Sequence, residues 1–156
     1  MVRYHNFDIV FAEIPGETTL AINITNCPNR CPGCHSPHLT ADEGRELDDA
    51  ELLALLACYG RSVTCIAFMG GDANPQEIAR LAGVVRRTYP VLHTGWYSGR
   101  EELPEGLAVT SFDYIKLGGW VEVLGPLTSP TTNQRLYKVS PDGRMEDITE
   151  RFRHKP

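Results

Sequence analysis

Three of the chain's five cysteines, Cys27, Cys31 and Cys34, fall within the single stretch CPNRCPGC. An odd total with three thiols crowded together suits a metal site in a reducing compartment better than a disulfide framework. Pro28, Pro32 and Gly33 let the backbone curl, so that the thiolates can converge on one soft metal centre. Three thiolates leave one iron of a four-iron cluster without a protein ligand, and such an open iron can bind and activate a substrate. The alternative is a structural zinc site completed by His35 or His38, because three thiolates and one imidazole make a common closed shell. Against zinc, ribbons of that kind usually pair two close cysteines with a second, distant pair. Cys58 and Cys65 instead fall in a helical pattern and an apolar strand pattern, where cysteine behaves as a small buried hydrophobe.

The segments around the cluster read as alternating strands and helices. Residues 7–13 and 19–25 are short β-type runs separated by Pro15, Gly16 and Glu17, which predicts two strands joined by a turn. The second strand leads straight into the cysteines. From Asp48 to Cys58, Leu52, Leu53, Leu55 and Leu56 form a broad apolar helical face behind acidic residues that suit a helix start, and Gly60 ends it. Residues 63–69 are a nearly unbroken apolar run ending in Gly70-Gly71-Asp72, as expected for a parallel strand covered on both faces. Pro75 opens a second helix carrying Ile78, Leu81, Ala82 and Val85, which Tyr89-Pro90 breaks. Strands over 91–97 and 112–117 follow, with a short helix over 99–104 between them and a last strand over 136–139. The alternation predicts a single α/β domain over residues 1–156 with a mostly parallel sheet and crossover helices, in the form of an incomplete barrel.

Composition removes several function classes. A chain of 156 residues with 42% hydrophobic content is sized for one core. The formal charge of -5 offers no basic footprint for nucleic acid. No apolar run reaches the ~18 residues that a membrane span needs, and the first residues lack a signal-peptide pattern, so the expected location is the cytoplasm. A ligand in an open α/β sheet binds beyond the carboxyl ends of its strands, where both the cysteine segment and Gly70-Gly71-Asp72 fall.

With this cysteine spacing after one strand and Gly-Gly-Asp after another, the chain resembles the radical S-adenosylmethionine superfamily. The stretches NITNCPNRCPGCHSPHL, FMGGDANP, TGWYSGRE and FDYIKLGGWVE, with Thr132-Asn133-Gln134-Arg135, are similar to the activating proteins of anaerobic (class III) ribonucleotide reductase, over residues 5–139. The resemblance implies a partial radical-SAM barrel in which Cys27, Cys31 and Cys34 hold a four-iron four-sulfur (4Fe-4S) cluster. S-adenosylmethionine would chelate the fourth iron, with Gly33, Cys34 and His35 against the cofactor. Gly70 and Gly71 would let backbone approach its methionine moiety, and Asp72 would meet its ammonium group. Reductive cleavage would then give a 5'-deoxyadenosyl radical that generates the glycyl radical of the partner.

The implied partners are the large subunit of the anaerobic ribonucleoside-triphosphate reductase and an electron donor such as a flavodoxin or ferredoxin. Gly33 departs from the superfamily, where an aromatic residue commonly precedes the third cysteine, and Asp72 stands where glutamate is commoner. Lys116-Leu117-Gly118-Gly119 replaces the usual acid-glycine pair and receives no role. Trp96, Tyr97 and Trp120 are candidates for a partner-docking surface, although an aromatic on a strand is more often core. Asn133, Gln134 and Arg135 fit a cofactor contact, a partner contact or a turn. His5 and His93 read as structural histidines. Activation of another glycyl-radical enzyme, or radical chemistry on a metabolite, would use the same cluster residues.

Overall fold

The computed structural model describes residues 2–25 and 44–153. Its elements run β1 (Arg3–Val10), β2 (Thr19–Ile24), β3 (Arg45–Glu46), α1 (Asp49–Tyr59), β4 (Cys65–Met69), α2 (Pro75–Thr88), β5 (His93–Tyr97), β6 (Tyr114–Leu117), β7 (Arg135–Val139) and β8 (Met145–Asp147). Among the described residues these strands form one eight-stranded sheet in the order β3-β1-β2-β4-β5-β6-β7-β8. The sheet is open, with β3 and β8 at its edges.

The centre of the sheet follows the expected alternation, since β2, β4, β5 and β6 pair in parallel. The expectation of a mostly parallel sheet needs correction, because both flanks are antiparallel and their four pairings outnumber the three parallel ones. The reason lies in the connections. β1 turns into β2 over a short loop, and β7 turns into β8 through a tight turn closed by Gly143 N–H donating to the Ser140 carbonyl at 2.9 Å. Antiparallel neighbours can be joined by a short turn, whereas parallel ones need a crossover of about a dozen residues or more, usually but not always a helix.

Helix α1 begins where Asp48 Oδ1 accepts from the Glu51 amide at 2.8 Å, which satisfies one of the orphan donors of the first turn. Helix α2 begins at Asn74 with Pro75 in its first turn, where a missing N–H costs nothing. Arg86 and Arg87 sit in its last turn, opposite the negative end of the helix dipole. Both helices cover one face of the sheet, where Leu52, Leu56, Ile78, Leu81 and Val85 pack with Leu20, Ile22, Ile66, Phe68 and Trp96. Cys65 is buried, as read, but Cys58 is exposed. Two residues beyond Leu56, it turns away from that buried side chain and lies at the edge of the apolar face.

Among the described residues, no α-helix covers the other face of the sheet. Its lower part is a row of small residues in register, Ala21, Ala67 and Gly95. Ile14, from the β1–β2 loop, fills this trough together with Cys65, Tyr114, Leu136 and Ile148. One step towards the carboxyl ends lies a larger row, Asn23, Met69, Tyr97 and Lys116, again in register. The helix expected over 99–104 is absent, and that segment is a loop whose backbone is held by Asp72. Among the described residues, no helix is long and apolar enough to cross a membrane.

Candidate functional site

Strand β4 leaves the sheet at Met69 into Gly70 and Gly71, whose φ angles are +107° and +93°. A side chain is strained at such angles, so the turn demands glycine. Packing closes it further. A Cβ on Gly71 would lie 2.6 Å from the Ile78 side chain, and one on Gly70 would lie 3.3 Å from the Ile24 carbonyl oxygen. The turn is also fixed from β5, because the Gly70 amide donates to the Tyr97 carbonyl at 2.9 Å. The Trp96 indole Nε1 donates to the Gly70 carbonyl at 2.7 Å.

Asp72 follows, 1% exposed. Its Oδ1 accepts from the Ser98 hydroxyl at 2.6 Å, and its Oδ2 accepts from the Gly99 amide at 2.8 Å. Arg100 Nη2 donates to the Asp72 carbonyl at 2.9 Å. The loop after β5 is therefore wrapped around the turn after β4. The loop after β6 joins them through Lys116, whose buried Nζ donates to the carbonyls of Ser98 at 2.9 Å and Gly118 at 2.8 Å. That ammonium lies 5.3 Å from the Tyr97 ring centroid, a geometry suited to cation–π attraction. The Gly118 amide returns a bond to the Arg100 carbonyl. Three strand ends thus form one hydrogen-bonded rim.

Asn133 extends the rim by donating from Nδ2 to Gly119 O and Glu101 Oε1, each at 3.0 Å. Gln134 and Thr132 are buried, and the Gln134 amide donates to Thr132 Oγ1 at 3.0 Å. Arg135 lies outside this group, on the exposed side of β7.

At the opposite end of the strands, Glu17 is buried and gathers three donors or partners. Its Oε2 accepts from the Tyr114 hydroxyl at 2.7 Å and faces His93 Nδ1 at 2.6 Å, while its Oε1 accepts from Thr64 Oγ1 at 2.6 Å. His93 is accordingly a structural partner of Glu17. Burial, then the neighbouring Glu17, pushes the Tyr114 hydroxyl well above the ordinary tyrosine range. Burial also raises the Cys65 thiol strongly, so this cysteine is neither a nucleophile nor a ready metal ligand.

The structure brings together Gly70, Gly71 and Asp72 with residues to which sequence reasoning assigned no site role: Trp96 as a donor, Ser98, Gly99, Arg100 and Lys116. TGWYSGRE was visible as a motif, but nothing in its spacing tied Ser98 to Asp72. Trp96 is fully buried, which removes it from any docking surface, whereas Tyr97 and Trp120 are partly exposed. Cys27, Cys31, Cys34, Gly33 and His35, together with His38, lie outside the described residues. Among the described residues, no group of three or more His, Cys, Asp or Glu side chains is placed to hold a metal ion. The end of β2 lies against the glycine turn, since a Cβ built on Gly70 or Gly71 would stand within 3.3 or 3.6 Å of Ile24.

The glycine turn fits the close backbone approach that a bound S-adenosylmethionine would need. The Asp72 carboxylate fits a direct ammonium contact less well, being turned onto Ser98 and Gly99.

No family model matches the chain, and no solved structure matches it. A segment is similar to Dicer-like protein 2-2 of Aspergillus niger, with 31% identity over 68 residues, 44% of this chain. That segment spans only 5% of the length of the Dicer-like protein.

Proposed function

We propose that the chain is a radical S-adenosylmethionine activase that generates the glycyl radical of an anaerobic ribonucleotide reductase. The observation that carries this reading is that Ile24, three residues before Cys27, lies against the glycine turn: a Cβ built on Gly70 would stand 3.3 Å from its carbonyl oxygen, and one on Gly71 3.6 Å from its side chain. A cluster ligand set and a cofactor-approach turn are needed side by side, at the carboxyl ends of parallel strands. On this reading the open sheet, with helices on one face, is an incomplete barrel.

Cys27, Cys31 and Cys34 would hold the 4Fe-4S cluster, and Gly33, His35, Gly70 and Gly71 would border S-adenosylmethionine. The chemistry that such a bound group supplies is one-electron cleavage of a sulfonium to methionine and a 5'-deoxyadenosyl radical, which becomes 5'-deoxyadenosine on taking a glycine Cα hydrogen. The chain's own residues bind and orient. Gly70 and Gly71 present backbone without side chains, and the Trp96 and Tyr97 bonds hold that backbone still. Met69, Tyr97 and the rim loops shield the strand ends from water.

Ile14, Tyr114, Leu136 and Ile148 fill the lower part of the sheet face. A substrate must then approach from the open carboxyl side, as a loop of a partner can. The remaining partner is a cytoplasmic electron donor such as a flavodoxin or ferredoxin.

The test is anaerobic reconstitution with iron and sulfide, reduction with dithionite and addition of S-adenosylmethionine. Formation of 5'-deoxyadenosine and methionine, followed by a glycyl-radical EPR signal when the reductase is added, is the expected result. Bound zinc with no cleavage would instead indicate a structural module. Alanine at Cys27, Cys31 or Cys34 is expected to abolish cluster assembly, and full iron loading of any of these variants would sink the ligand assignment.

A further inference from the structure

We infer that Asp72 is a positioning residue that latches the turn after β4 to the loop after β5 through Ser98, and that it does not itself bind the cofactor ammonium group. This inference rests on the S-adenosylmethionine reading above. A carboxylate serving a ligand is expected to face the ligand's space, but Asp72 is 1% exposed and both of its oxygens accept from the β5 loop. Ser98, 0% exposed, is the hub of the arrangement. Its hydroxyl donates to Asp72, its carbonyl accepts from Lys116 Nζ, and its amide donates to the Lys116 carbonyl at 2.8 Å. An anion and a cation therefore grip opposite ends of one serine.

Charge-assisted hydrogen bonds in a buried setting are the strong ones, and networks of them act as a unit. The latch holds Gly70 and Gly71, two and one residues before Asp72, at the positive φ angles that only glycine adopts without strain.

The test uses the full cluster-loaded chain and its variants Asp72→Asn, Asp72→Glu, Ser98→Ala and the Asp72→Asn/Ser98→Ala double. S-adenosylmethionine affinity is read by equilibrium dialysis well below the melting midpoint, with iron content and the cofactor-induced change in the EPR signal of the reduced cluster. A purely structural role would leave affinity and that spectral change intact at such temperatures. Each single change is expected to weaken binding by about tenfold or more, with iron content unchanged and the double no worse than the singles. Wild-type affinity in Asp72→Glu and Ser98→Ala, with loss only in Asp72→Asn, would overturn the inference and place the carboxylate on the ligand. If the wild-type cluster protein binds no S-adenosylmethionine, the functional reading fails, and amide exchange at Gly99 then decides the latch. Faster exchange in Asp72→Asn sustains it, and unchanged exchange overturns it.

Discussion

Ile14 lies directly over Gly95: a Cβ built on that glycine would stand 2.8 Å from Ile14 Cδ1. Glycine in a strand weakens it, and one that persists usually marks a close approach by another part of the chain. Here the approach comes from the β1–β2 loop, whose isoleucine is fully buried and packs on the face opposite α1 and α2. Gly95→Ala is therefore expected to destabilise by about 1–3 kcal/mol through overpacking, and Ile14→Ala by about 2–5 kcal/mol through the cavity left behind. Combining Gly95→Ala with Ile14→Val is expected to recover part of the first loss. Denaturant titrations of the singles and the double measure this coupling, and strict additivity would show that the two side chains do not compete for space.

Trp96 joins core to rim. Its ring stacks on Phe112 at a centroid distance of 5.8 Å, while its Nε1 reaches the Gly70 carbonyl. Trp96→Phe keeps an aromatic in the core but removes the donor and leaves a void. A loss of about 1–3 kcal/mol is expected, with faster amide exchange at Gly70 as the local signature. A stability loss with unchanged Gly70 exchange would mean that the indole serves packing alone.

The elements that could be read from sequence are those whose local chemistry and tertiary role agree. Asp48 before the Leu52-Leu55-Leu56 face and Asn74-Pro75 before Ile78 are capping signals joined to helical periodicity. The run at 63–69 gave β4 with only its first residues trimmed, because a strand covered on both faces needs little else. β3 and β8 escaped notice because they are two and three residues long, carry no apolar alternation and exist through backbone pairing with β1 and β7. The loop at 99–104 was misread as helix because Asp72, far away in sequence, captures the Gly99 amide and the Ser98 hydroxyl. For the site, Gly70-Gly71-Asp72 was legible as a motif at a strand end. Lys116 was not, because its significance depends on the carbonyls it meets and a lysine within an apolar strand has no spacing rule to announce it.

The two helices are tied by Arg80, which pairs with Glu77 of its own helix at 2.7 Å and with Asp49 of α1 at 2.7 Å. The Arg80 hydrogen bond is the main reason that both carboxyls titrate below their ordinary range. For a depressed carboxyl, the unfolded chain takes up protons first as pH falls. The stabilisation is thus present above the ordinary values of about 4 and is lost as pH drops through the lower folded values. Arg80 is about half exposed and solvent screens its charge, so the Arg80–Glu77 pair contributes only about 0.3–0.5 kcal/mol, less at high salt. Arg80→Gln is expected to lower stability slightly at pH 7 and to converge on the wild type as pH falls through the lowered folded values of the two carboxyls. A difference that persists undiminished in acid would assign the effect to packing of the arginine stem.

Tyr97 gives the opposite sign at the alkaline end. Burial, then the negative charge of Glu13, raises its hydroxyl far above the ordinary tyrosine value, and that hydroxyl donates to the Glu13 carbonyl. A raised group keeps its proton in the folded state after the unfolded chain has released it. Its contribution is complete below about pH 10 and is lost as pH rises above it, with a slope of at most about 1.4 kcal/mol per pH unit for one proton. Cys65 adds a similar loss that begins nearer pH 9, since burial raises its thiol as well. Tyr97→Phe is expected to cost about 1 kcal/mol at pH 7, because the Glu13 carbonyl loses its donor, but to lose stability less steeply than the wild type between pH 10 and about 12. Denaturant midpoints taken across that interval provide the check. Parallel pH profiles would mean that the phenol ionises in the folded chain as readily as in the unfolded one, which would remove burial as the force holding its proton.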